Sequence, residues 1–367
     1  MTKSSPQKSR QASAELPTVV LAYPSLAARG GAEKIIRSLS GHLLARFRVI
    51  VLSADSKRVW RTLGFPPSVR HAFVPCRSSN PLAMAISLAV LARFLIKYRP
   101  AVVHTHHRRL ALLFSVLKKF APDRFRFIHT SHNVFHDGRL FRRAHCDLLV
   151  GVSGAVVNNL TRFFRFNPGK VKLIYNGIDE YPETITPATE NAAVIAARLT
   201  LQKGHVYLIE AWPLVLKAVP DAVLYVVGDG ELRGKLERRA GELGLAGRVV
   251  FTGFQSEPRT WMLKARFGIL PSLWEGLPLF PLEAYSVKRA VVATAVDGTP
   301  EVVLHGRTGL LVPPKDVLKL AEAVIEMFRD PGSRERMAEE GYRLFRERFT
   351  SEVMLRRYDE CYQEALG

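Results

Sequence analysis

Short apolar runs alternate along the chain with longer segments whose apolar positions recur at helical spacing. Thr18–Tyr23 reads as a buried strand, followed by a loop, Pro24–Gly30, and a helix that opens on Gly31-Ala-Glu-Lys-Ile-Ile. Further strands are predicted at Phe47–Ser53, Val69–Val74, Ala101–His104, Arg126–His129, Asp147–Val152 and Lys172–Asp179. After a hinge at 180–190 the alternation restarts, with strands at Ala192–Ala197, Val223–Val227, Arg248–Gly253, Phe267–Leu270, Ala290–Thr294 and Arg307–Val312. The remainder is helical to Leu366. Strands that read as unbroken apolar runs are buried on both faces, and alternation with helices makes them parallel. The pattern therefore predicts an α/β protein of two doubly wound domains, 17–180 and 181–349. A tail, 1–16, precedes them, and a closing helix, 350–367, is expected to return to the first domain. Pro81–Arg99 stands apart, because it has almost no polar face before Arg93, Lys97 and Arg99. Burial in a core is the expected reading; a helix lying shallowly in a lipid interface is the alternative.

Composition adds bounds to this picture. A chain of 367 residues exceeds one ordinary core, and 47% hydrophobic with 23% charged residues is the balance of a soluble globular protein. No apolar run reaches the roughly 18 residues of a membrane span. The first 16 residues are polar, without the apolar stretch of a signal peptide, and read as disordered. Cys76, Cys146 and Cys361 lack metal-ligand spacing and suggest reduced thiols in the cytoplasm. The net charge of +20 is concentrated: residues 18–180 hold 26 Lys and Arg against 7 Asp and Glu, whereas 181–367 hold 24 against 25. A one-signed domain calls for an anionic partner, either nucleic acid or an anionic membrane surface.

Candidate chemistry centres on Pro271-Ser-Leu-Trp-Glu-Gly-Leu-Pro-Leu-Phe-Pro-Leu-Glu283. A strand ends, Glu275-Gly276 turns, and Pro278 and Pro281 mark the start of a helix running to about Lys288. The amides near Leu277, Leu279 and Phe280 are then free at a positive helix end, a ready phosphate site. Glu283 either serves a ligand or merely complements the helix dipole, and Glu275 either serves a ligand or is solvated. In the first loop of the second half, Arg198 and Lys203 offer a planar fork and a point charge to phosphate oxygens. The paired glycines Gly30-Gly31 let backbone approach a ligand. His104, His106 and His107 end one strand and His129 another. No carboxylate or Cys lies nearby in sequence to complete a metal site, so these rings are expected to line a crevice. Asp229-Gly-Glu231 reads as a tight turn with an acidic first helical turn.

In this order Gly30-Gly31-Ala-Glu, His129-Thr, Val152-Ser153, Asn176-Gly-Ile-Asp179, Arg198 to Gly204, Val227-Gly-Asp-Gly230, Phe251-Thr-Gly253, Glu275 to Glu283 and Gly298-Thr-Pro-Glu301 resemble the retaining family 4 glycosyltransferases. That resemblance spans about residues 18 to 350. It implies a GT-B fold, two Rossmann-like domains facing across a cleft, and sugar transfer from a nucleotide-sugar, UDP being the commonest carrier. It implies that Arg198 and Lys203 hold the diphosphate and stabilise leaving-group charge. The amides of Leu277, Leu279 and Phe280 with the backbone of Gly31 and Gly276 would complete the cradle. Glu283 would bind the ribose, Glu275 the donor sugar, the turn at Gly253 and Phe254 would lie near the base, and His129 would sit beside the sugar. No metal and no other cofactor is expected. The sequence departs from the family pattern in the long Pro24–Gly30 loop and at Thr299. A lipid-linked or lipopolysaccharide-type acceptor on the basic first domain would place the protein on the inner face of the cytoplasmic membrane. The alternatives are a nucleotide-sugar epimerase of the same architecture and a basic nucleic-acid-binding protein, although no nucleic-acid recognition motif is present.

Overall fold

Seven parallel strands make the first sheet: β1 (Thr18–Ala22), β2 (Arg48–Ser53), β3 (Arg70–Phe73), β4 (Val102–Thr105), β5 (Arg126–Ser131), β6 (Leu148–Gly151) and β7 (Val171–Leu173). They lie in the order β3-β2-β1-β4-β5-β6-β7. Six more make the second: β8 (Ala192–Ala196), β9 (Val223–Val227), β10 (Val249–Gly253), β11 (Phe267–Leu270), β12 (Val291–Thr294) and β13 (Gly309–Val312), in the order β10-β9-β8-β11-β12-β13. The computed structural model from which this is read describes residues 16–27, 30–76, 80–181 and 183–367. The expected tail lies outside the described residues except for Leu16, as does part of the Pro24–Gly30 loop.

The first domain's helices are α1 (Gly31–Leu43), α2 (Lys57–Trp60), α3 (Pro81–Tyr98), α4 (Arg108–Phe120) and α5 (Gly154–Asn158). Those of the second are α6 (His205–Ala218), α7 (Arg233–Glu242), α8 (Arg259–Lys264), α9 (Leu279–Ser286), α10 (Val317–Arg329) and α11 (Pro331–Arg348). The central strands are wholly buried because helices cover both sheet faces: every residue of β1, β4, β11 and β12 is buried. On α1 the apolar stripe Ile35, Ile36, Leu39 and Leu43 is the buried face, as its helical spacing requires.

The closing helix α12 (Ser351–Leu366) crosses back to the first domain. Its Met354, Tyr358, Cys361, Tyr362 and Ala365 share one apolar cluster with Ile35 and Leu39 of α1 and with β1. The buried hydroxyl of Tyr362 pairs with His104 Nδ1 at 2.8 Å, and that of Tyr358 with Thr130 Oγ1 at 3.2 Å, so neither phenol is left unsatisfied.

Three expectations are overturned, the first being the strand Lys172–Asp179, of which β7 keeps only the start and ends at Leu173. Helix α3 is not a core helix: of its residues only Ser87, Leu91, Phe94 and Leu95 are buried. Leu82, Ile86 and Ile96 are 71%, 50% and 60% exposed, and they fall on one stripe. The apolar pattern ran all round the helix, so it could not tell which side faced the sheet. The acidic start expected of α7 is also absent, since the helix begins at Arg233 after Asp229 and Glu231.

Among the described residues, the contacts that hold the domains in register include two beside the cleft. The Glu301 carboxylate accepts hydrogen bonds from the Gly154 and Ala155 amides at 2.7 and 2.9 Å and from the Tyr175 hydroxyl at 3.1 Å. Gly276 lies so close to the first domain that a Cβ there would stand 2.0 Å from the His132 carbonyl oxygen.

Candidate active site

In an open parallel sheet a ligand binds beyond the strand C-termini, where the strand order reverses. The first sheet reverses between β1 and β4, the second between β8 and β11. The segments that follow these four strands line one interdomain cavity of about 430 Å³: Tyr23 and Gly31 after β1, His106 and His107 after β4, Arg198 and Lys203 after β8, Glu275 and Gly276 after β11. Topology thus brings together side chains that are far apart along the chain.

On the floor, Glu275 is buried, and its Oε1 accepts from Lys203 Nζ at 2.5 Å and from Ser272 Oγ at 2.7 Å. The Glu275 amide in turn donates to Asp297 Oδ2 at 2.9 Å. Lys203 is brought in by Gly204, whose φ of +64° and whose approach to the Pro271 carbonyl, 1.9 Å from an added Cβ, leave no room for a side chain. Arg198 is exposed, lines the same cavity and makes no ion pair among the described residues. Helix α9 starts at Leu279 with no side-chain cap at Pro278, and α1 starts at Gly31 with none at Gly30. The two uncapped N-termini meet, since a Cβ on Gly31 would contact the Leu279 side chain at 3.2 Å. Both positive dipole ends and the unsatisfied amides favour an anion between them.

Glu283 is buried on α9 and forms an ion pair with Lys34 of α1, across the domain boundary. Beyond this pair lies a second cavity of about 600 Å³ lined by Arg37, Gly228, Asp229, Phe254 and Gln255. Lys34, Glu283 and Arg198 line both cavities and so stand between them.

The wall contributed by the first domain is built of histidines. His106 Nδ1 and His132 Nε2 are 3.0 Å apart, and His104 Nε2 lies 2.7 Å from Thr130 Oγ1. Burial pushes the pKa of His104 down to about 3 and those of His107 and His132 down to about 4, with Arg109 and Arg108 adding to the effect at His107 and a neighbouring ring at each of the other two. His106 and His129 are likewise held well below the usual value, first by burial and then by the other rings. All five rings are therefore neutral near pH 7.

The first cavity assembles Gly31, His129, Arg198, Lys203, Glu275, Gly276, Leu277, Leu279, Phe280 and Glu283. The turn expected near the base borders the second cavity: Phe254 lines it, and the carbonyl of adjacent Gly253 accepts at 2.8 Å from the amide of Gly228, another of its lining residues. His129 is present but wholly buried; Nδ1 is 2.9 Å from Thr105 Oγ1, and the ring packs edge-on against Phe141. The ring is thus a buried, neutral part of the wall of the first cavity. Ser272, Asp297 and Lys34 were missed. For Lys34 a signal existed: a lysine in the first turn of an uncapped helix opposes the helix dipole, which implies a partner elsewhere.

Residues 29–180 match the family model of Glycosyltransferase Family 4, and residues 179–344 that of Glycosyl transferases group 1. The alpha-D-kanosaminyltransferase of Streptomyces kanamyceticus is 36% identical over 144 residues, 39% of this chain and 37% of that enzyme. The chain thus spans well under two thirds of that relative's length. The UDP-Gal:alpha-D-GlcNAc-diphosphoundecaprenol alpha-1,3-galactosyltransferase of Escherichia coli is 25% identical over 294 residues, 72% of this chain and 76% of the enzyme. Among solved structures, the Anabaena protein HepE in complex with UDP superposes with a TM-score of 0.81 over 95% of this chain and all of that one, at 19% identity.

Proposed function

Since the chain belongs to the GT-B glycosyltransferases that join a Family 4 half to a group 1 half, we propose that it moves a sugar from a nucleoside-diphosphate donor, UDP-linked, to a lipid-linked or lipopolysaccharide-type acceptor with retention of anomeric configuration. One observation carries this reading. Arg198, Lys203, Glu275, Glu283 and two uncapped helix starts converge on a single cleft at both topological switch points. UDP in HepE and the diphosphoundecaprenol-linked acceptor named for the Escherichia coli relative support the choice of donor and acceptor.

In the proposed reaction the bond between the anomeric carbon and the diphosphate oxygen breaks, and the acceptor oxygen bonds to that carbon from the same face. The acceptor proton passes to the departing diphosphate. Arg198 and Lys203 stabilise the negative charge that grows on the leaving group, work done without a metal ion in this reading. Glu275 orients the sugar through its hydroxyls, and Glu283 the ribose. The basic first domain would hold the acceptor at an anionic membrane surface on the cytoplasmic side. The stretch between Asp55 and Asp123 supports this, since it carries twelve Lys and Arg and no carboxylate.

The decisive experiment combines ligand screening with turnover. UDP is expected to raise the melting temperature more than GDP or ADP. Arg198→Ala and Lys203→Ala are each expected to lower kcat by roughly 10²-fold or more, with turnover unchanged by a chelator. Turnover within a few-fold of wild type in both variants would overturn the leaving-group roles.

A further inference from the structure

The Lys34–Glu283 ion pair occupies the place where a nucleotide-sugar would have to cross. It separates the cavity that holds Arg198, Lys203 and Glu275 from the cavity that holds Phe254 and Gln255, and both partners line both spaces. A donor with its sugar in the first cavity and its base in the second must run over this bar. Lys34 belongs to α1 of the first domain and Glu283 to α9 of the second, so the bar also bridges the domains.

We propose that Lys34 is a donor-binding residue supplied by the acceptor domain, one that exchanges the Glu283 carboxylate for a diphosphate oxygen as the donor enters. This rests on the nucleotide-sugar reading above. The chemistry favours exchange over simple removal. A ribose diol is neutral, and on its own it offers Glu283 hydrogen bonds in place of an ammonium ion. A diphosphate lying between the two helix starts offers the displaced ammonium a new anion within reach of the same side chain. Lys34 is about two-fifths exposed, so its head group is free to swing, whereas Glu283 is buried and fixed. The pair thus penalises ligands that lack phosphates, and donor entry ties the two domains together through Lys34.

The test compares UDP with uridine by calorimetry on the full chain. In Lys34→Met, UDP is expected to bind about tenfold more weakly, having lost a charge-assisted hydrogen bond. Uridine is expected to bind tighter than to wild type, because Glu283 is no longer occupied. Lys34→Arg, which keeps the charge, should restore much of the UDP affinity. In the wild type, raising salt from about 0.05 to 0.5 M should weaken UDP and strengthen uridine, because the competing pair is screened. If Lys34→Met moves both ligands in the same direction or moves neither, the pair is an interdomain strut and the proposal is wrong. If wild type binds UDP in none of these conditions, the nucleotide reading itself fails, and this inference fails with it.

Discussion

Gly276 shows how one residue can carry an interdomain distance. Its missing side chain lets the second domain sit against the His132 carbonyl, and within the second domain Gly298 supports it by packing 1.9 Å, measured from an added Cβ, from the Gly276 carbonyl. Both obstacles are backbone atoms, which cannot rotate away as a side chain could. Gly276→Ala is therefore expected to push the cleft walls apart by a fraction of an ångström to an ångström. Overpacking of this kind costs about 1–3 kcal/mol of stability, while misalignment of reacting groups by about 1 Å costs roughly 10²-fold in rate. Transfer activity should fall far more than the melting temperature does. A Gly276→Ala enzyme within a few-fold of wild-type turnover would show that this contact does not set the geometry of the site.

Helix α3 poses the question at the scale of an element. Full burial of a Leu or Ile side chain contributes about 1.5–3 kcal/mol, and α3 forgoes most of that at Leu82, Ile86 and Ile96. Arg93, Lys97 and Arg99 follow toward its C-terminal end, and Phe120 at the end of neighbouring α4 is 86% exposed beside exposed Lys119. An apolar stripe bordered by cations suits the boundary between acyl chains and anionic headgroups. Leu82→Asn combined with Ile86→Asn should leave the melting temperature nearly unchanged, as surface changes do. Co-sedimentation with phosphatidylglycerol vesicles should fall about tenfold, given roughly 0.8 kcal/mol for each buried methylene. If the double variant melts several degrees lower and sediments normally, this face is covered by protein and the membrane reading of α3 is wrong.

Across the whole molecule the histidine wall predicts an acid limit. The pKa values of His104, His107 and His132 in the folded protein, about 3, 4 and 4, lie below the ordinary 6.5 of the unfolded chain. The unfolded state therefore binds more protons below pH 6.5. The stability these residues contribute is fully present above that pH and is lost as pH falls toward about 4 for His107 and His132 and about 3 for His104. At pH 5 the loss is on the order of 2 kcal/mol for each ring, so calorimetry between pH 7.5 and 5 should show the melting temperature falling by about 5–10 °C. His104→Gln should reduce that slope. An unchanged melting temperature over this range would mean that the rings titrate normally and are not sealed in the wall.

The sequence by itself determined the alternation of strands and helices, the approximate positions of the strands, and the chemical character of Arg198, Lys203, Glu275 and Glu283. These follow from local periodicity, from glycine and proline chemistry, and from side-chain type, all of which act over a few residues. Only the tertiary structure decided which surfaces meet. It exposed the apolar stripe of α3, set His129 into the cavity wall, divided the expected site between two cavities, and paired Lys34 with a carboxylate 249 positions away. The order of strands in each sheet and the closeness of the two domains are set by long-range packing, and no local pattern encodes which loops will face one another across a cleft.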